Sequence, residues 1–94
     1  MTNELFDLVA NANEEWKNIN IYTEEIIKIS QSPVAAEMLI DALHTAVAKH
    51  QKYWHLIEDS QEFKDNYAGG RFKLLNEFDA VKALKTQNQK LNTM

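Results

Sequence analysis

Cysteine is absent from this 94-residue chain. Disulfide staples, thiolate zinc sites and cysteine nucleophiles are thereby excluded, and a reducing compartment suits it. Proline occurs once, at Pro33, and glycine only as the pair Gly69–Gly70. With so few residues that stop helices, the chain is expected to be all-α. Long apolar runs are missing too. No window approaches the ~18 consecutive apolar residues of a membrane span, so no membrane partner is expected. The start, Met1-Thr-Asn-Glu-Leu-Phe-Asp, is acidic and lacks the apolar run of a signal peptide, which points to a cytoplasmic location.

Arginine is nearly absent: Arg71 stands alone beside nine lysines. The net charge of −4 is mild and the acidic residues are interleaved with lysines. Neither the basic stripe of a nucleic-acid binder nor the dense acidity of a DNA mimic is present. Lys49, Lys52 and Lys64 form no groove-tracking patch, so no nucleic acid is expected as a partner. At 10.9 kDa the chain is one domain, residues 1–94. A chain this short must pack economically or share its core with a partner.

What is present is helical periodicity in three stretches, about 3–30, 33–58 and 60–88. In the first, Leu5, Leu8, Val9, Ala12, Trp16, Ile19, Thr23, Ile26 and Ile27 project onto one face. Asp7, Glu14, Lys17, Asn18, Glu25 and Lys28 lie opposite. The strand-like alternation Asn18-Ile19-Asn20-Ile21-Tyr22 is the one place where a kink would fall. Ser30-Gln31-Ser32-Pro33 reads as a stop and restart, with Ser32 at the N-cap and Pro33 in the first turn.

The second stretch has the broadest apolar arc: Ala35, Leu39, Ala42, Leu43, Ala46, Val47, Tyr53, Trp54 and Ile57. An arc that wide calls for two neighbours. A capping-box pattern at Asp59–Glu62 opens the third stretch, in which Phe63, Tyr67, Leu74, Phe78 and Val81 share a narrow face. That stretch is expected to break or kink at Gly69–Gly70, because two glycines cost a helix about 2 kcal/mol relative to alanine. Residues 86–94 form a polar tail expected to fray. Three rods of ~40 Å with short connections predict an antiparallel up-down-up bundle.

Several residues carry candidate chemistry. Arg71 offers a planar fork of donors for phosphate or carboxylate, and two glycines before it leave backbone N–H groups that could join. Gly69, Gly70, Arg71, Lys73 and Tyr67 are therefore the candidate site for a small anionic ligand such as a nucleotide, weighed against Arg71 simply pairing with a carboxylate. It is no P-loop, since the Gly-x4-Gly-Lys-Ser/Thr spacing is absent. Asp41-x-x-His44, with Glu37 before it, has the spacing of carboxylate-bridged metal sites in bundles, but one outward-facing pair is not the set such a centre needs. His55-x-x-Glu58 runs in the reverse order. No metal, cofactor or catalytic residue is assigned.

His50 lies within the apolar arc and needs a hydrogen-bond partner, with Thr23 as one possibility. Trp16, Tyr53 and Trp54 read as core anchors. Phe6, Ile21, Tyr22 and Ile29 fall off the main apolar face of the first stretch and are the candidate contact residues for self-association. The sequence thus favours a small non-catalytic protein, bacterial or phage in general character, acting by protein–protein interaction as an adaptor, inhibitor or regulatory subunit. An oligomeric binder of a small anion is the alternative.

Overall fold

A computed structural model describes residues 1–29, 32–68 and 70–92, with side chains through residue 88. The described residues are helical in four elements: α1 (Asn3–Lys28), α2 (Pro33–Asp59), α3 (Gln61–Asn66) and α4 (Arg71–Asn92). Ser30 and Gln31 of the expected first turn, and Gly69, lie outside the described residues.

Helix α1 starts at Thr2, whose hydroxyl accepts the Leu5 N–H at 3.2 Å. It continues without interruption through Asn18–Tyr22, and Thr23 there donates its hydroxyl to the Ile19 carbonyl at 2.7 Å. Helix α2 has Ser32 at its N-cap position and Pro33 in its first turn, although the Ser32 side chain makes no capping bond. α1 and α2 pack against each other as a hairpin.

The expected capping box is arranged differently. Ser60, one residue on, accepts the Phe63 N–H at 3.2 Å and donates to the Ile57 carbonyl at 2.7 Å, joining α2 to α3. Glu62 does not fold back on its own helix. It accepts the Thr2 backbone N–H at 3.1 Å and the Thr2 hydroxyl at 2.6 Å, tying α3 to the start of α1.

The third stretch is two helices. Tyr67 closes α3, donating its N–H to the Phe63 carbonyl at 2.8 Å, and Gly70 donates to the Tyr67 carbonyl at 2.9 Å. Gly70 has φ +127°, a backbone conformation that residues with a Cβ rarely adopt. Helical conformation then persists to Asn92, past Lys85 where the polar tail was expected to begin; no glycine or proline interrupts it.

The core is asymmetric. Leu5, Val9 and Ala12 of α1 meet Trp54 and Ile57 of α2, Phe63 and Tyr67 at α3, and Leu74 and Phe78 of α4. All belong to one end of the hairpin. α4 crosses that end: Phe78 stacks on Phe6 with ring centroids 4.8 Å apart, and Lys85 lies 4.0 Å above the same Phe6 ring. Two residues two turns apart on α4 thus meet one residue of α1, which requires crossing axes, unlike the side-by-side third rod that the sequence predicts. The apolar residues of α4 explain it. Leu74 and Phe78 are buried near its start, whereas Leu84 is exposed, so its second half has little to hold it along the hairpin.

The dimensions agree. The extents are 46 × 39 × 18 Å and the radius of gyration is 16.8 Å. A compact 94-residue domain would have a radius of gyration of about 12 Å.

Candidate interaction surface

Because α4 leaves at a steep angle, the hairpin is covered at one end and bare at the other. α1 residues packed on α2 follow a heptad rhythm, Leu5, Ala12, Ile19 and Ile26, with Tyr22 and Ile29 in the alternate seam positions, both half-buried. Projecting the helices places Phe6, Val9 and Trp54 on the face that α4 crosses. The same face continues along α1 as Trp16, Thr23 and Ile27, and along α2 as Val47 and Ile40. Trp16 borders α4, sharing a cleft with Phe78, Asp79 and Lys82 that leaves it half uncovered; the side chains further along have no described third helix above them. Ile27 is 70%, Trp16 53% and Ile40 39% exposed. Ile21 and Met38, also exposed, project from the opposite face.

This overturns two expectations. Trp16, read as a core anchor, is exposed because the rod that would cover it has turned away. Phe6, read as a contact residue for another molecule, is instead stacked on Phe78 inside the chain. Of the other three, Ile21 is exposed, while Tyr22 and Ile29 are half-buried.

Of the residues named for anion binding, Tyr67, Gly70, Arg71 and Lys73 lie at the opposite, closed end, and Gly69 is outside the described residues. The Arg71 guanidinium bonds the Glu58 carboxylate and sits 4.4 Å above the Trp54 ring. The Gly70 N–H is spent on the Tyr67 carbonyl. Tyr67 is buried and its phenol is pushed up to about 12, by burial first and then by hydrogen bonding and charge from Glu77, with Glu62 adding to it. Lys73 lies 6.0 Å over the Tyr67 ring. Arg71 and Tyr67 thus brace the start of α4 against α2 and α3. The signal missed in the sequence was Glu58, thirteen residues before Arg71, which only the turn at Tyr67–Gly70 brings within reach.

His50 stands where the bare face begins. Its partner is Trp54, whose indole N–H donates to His50 Nε2 at 3.2 Å; Thr23 is engaged within α1. An accepting Nε2 fixes the imidazole as neutral, with its proton on Nδ1. Burial holds the His50 pKa below its ordinary value, the Arg71 charge adds to that, and Glu15 opposes it. The Trp16 ring lies 5.6 Å from it.

Elsewhere little is assembled for chemistry. A groove of roughly 700 Å³ near the α1 start has Leu8 and Leu56 in its lining and Glu4, Asp7, Asp59 and Glu62 around it. No histidine lines it, and the Ser60 hydroxyl there is committed to backbone partners. Among the described residues no three His, Cys, Asp or Glu side chains are grouped to hold a metal ion, so Glu37, Asp41 and His44 are a solvated face. No described helix is long and apolar enough to cross a membrane. The chain matches no protein-family model, and neither a curated protein nor a solved structure matches it.

Proposed function

We propose that this is a non-catalytic helical protein that works by binding another polypeptide through the uncovered end of the α1–α2 hairpin. One observation carries this: Trp16, Ile27 and Ile40 lie exposed on one face, and among the described residues Ala46 is the one buried apolar residue outside the main core cluster at the other end. Ile21, Met38 and Leu56 are exposed to a similar degree on the opposite face, which also carries Glu15, Glu25 and Lys49, so the choice between the two faces rests on charge. Adaptor, inhibitor and regulatory-subunit roles all use such a surface. The anion-binding alternative has less support, since Glu58 already holds Arg71 and the Gly70 N–H is taken.

The test is to place lysine at both Ile27 and Ile40 and unfold the dilute chain with urea. Exposed positions should change stability by no more than about 0.5 kcal/mol each. Loss of folding in the dilute chain would make these residues part of the core and remove the surface from consideration.

A further inference from the structure

We infer that the partner for this face is a second copy of the chain, two hairpins packing face to face into a four-helix bundle with Trp16, Ile27 and Ile40 at the contact. The pairing rests on the assignment of that face as a protein-binding surface.

The area comes first. The chain exposes 6921 Å². A compact monomer of 10.9 kDa exposes about 5,600 Å² by the usual scaling with mass. The excess is on the order of 1,300 Å², and a stable interface covers about 800 Å² per partner. The excess is shared between the overhanging half of α4 and the bare end of the hairpin, and it is large enough to include one isologous contact.

Charge points to the same occupant. In a two-fold pairing a residue on the axis meets its own copy, so a formal charge on the axis repels itself. Along α1 the face runs through Trp16, Asn20, Thr23 and Ile27, and along α2 through Ala36, Ile40 and Val47, all without formal charge. Glu15 and Glu25 of α1 and Lys49 of α2 lie toward the opposite face, whereas Glu14, Lys17, Asp79 and Lys82 border Trp16 in a shared cleft and Glu24 flanks the strip along the direction of Phe6. An uncharged strip bordered by charges of both signs suits its own copy better than a partner of one charge.

Geometry completes the case. A helical hairpin is half of a four-helix bundle. The wide apolar arc of α2 calls for two neighbours, and α1 is the one described element that packs extensively against it.

Sedimentation of the full chain from about 1 to 200 μM should give a mass twice 10.9 kDa at the upper end. Ile27→Lys with Ile40→Lys should weaken association by at least about 100-fold while helical circular dichroism is retained. Ile21→Lys with Met38→Lys, on the opposite face, should change it less than about threefold. The chain has no native cysteine, so Thr23→Cys supplies an independent readout. It should form a disulfide dimer on oxidation at least about tenfold faster than Ile21→Cys, whose thiols the pairing holds beyond bonding distance.

A chain monomeric at the highest concentration overturns the pairing, and so do equal crosslinking rates. If that monomer tolerates the lysine pair, the face remains a surface for a different partner. If the lysine pair unfolds the dilute chain, the surface assignment falls as well.

Discussion

Ile57 and Ile27 allow the same atoms to be deleted at two depths. Ile57 is fully buried where α1, α2, α3 and α4 converge, and Ile27 is exposed at the open end. Replacing Ile57 by alanine removes buried carbon atoms and leaves a cavity among Val9, Trp54 and Leu74, which cannot close fully. The expected cost is about 2–5 kcal/mol. A chain of this length has only about 5–14 kcal/mol in total, so from about a seventh to all of its stability is at stake.

With a urea m-value of about 1.5 kcal/mol/M, a loss of 3 kcal/mol moves the midpoint down by about 2 M. Ile27→Ala removes the same carbons from water, and alanine is the better helix former, so its midpoint should hold or rise slightly. Urea titration at low micromolar concentration keeps association out of the comparison. Equal losses at the two positions, with unchanged m-values, would refute the division into a covered and a bare end.

Gly70→Ala should destabilise by about 1–3 kcal/mol, the cost of forcing a Cβ into an unfavoured backbone region. A Cβ there would meet nothing within 4 Å, so the loss comes from φ +127° alone, and a neutral substitution in thermal denaturation would show that the turn does not need glycine. His50 gives a pH dependence of definite sign. Its folded pKa is depressed, so the unfolded chain binds more protons as pH falls below about 6.5, and stability should decline there. His50→Gln should flatten that slope in pH-dependent melts; an unchanged slope would assign it to another group.

Helix positions were legible because apolar spacing, Pro33 and the glycine pair are local signals. The phase of α1 from Leu5 to Ile26 gave its contact with α2, and the breadth of the α2 arc gave its demand for more than one neighbour. What local spacing does not record is the angle between one helix and the next. Trp16 has the periodicity of a core residue, and only the direction α4 takes after Gly70 decides that it stays bare. Phe6 has the periodicity of a surface residue, and the same crossing brings Phe78 onto it.

Long-range polar pairs were equally hidden. Glu62 reads as a local cap, yet it reaches Thr2 sixty residues away. Arg71 stands out by its rarity, but nothing in spacing names Glu58 as its partner. Pairing of Arg71 with a carboxylate is the alternative that its spacing leaves open, and Glu58 is the carboxylate that meets it.

Confining the core cluster to one end also puts the firmest joint at the free ends of the hairpin, the start of α1 and the close of α2. The other end is held by the chain itself, since α1 and α2 follow one another there. A force drawing the two helices apart therefore meets α3 and α4 first, and the lightly packed stretch around Ile27 and Ile40 lies behind that fastening. Small movements of that stretch have no loose end to spread from, so they leave the molecule closed.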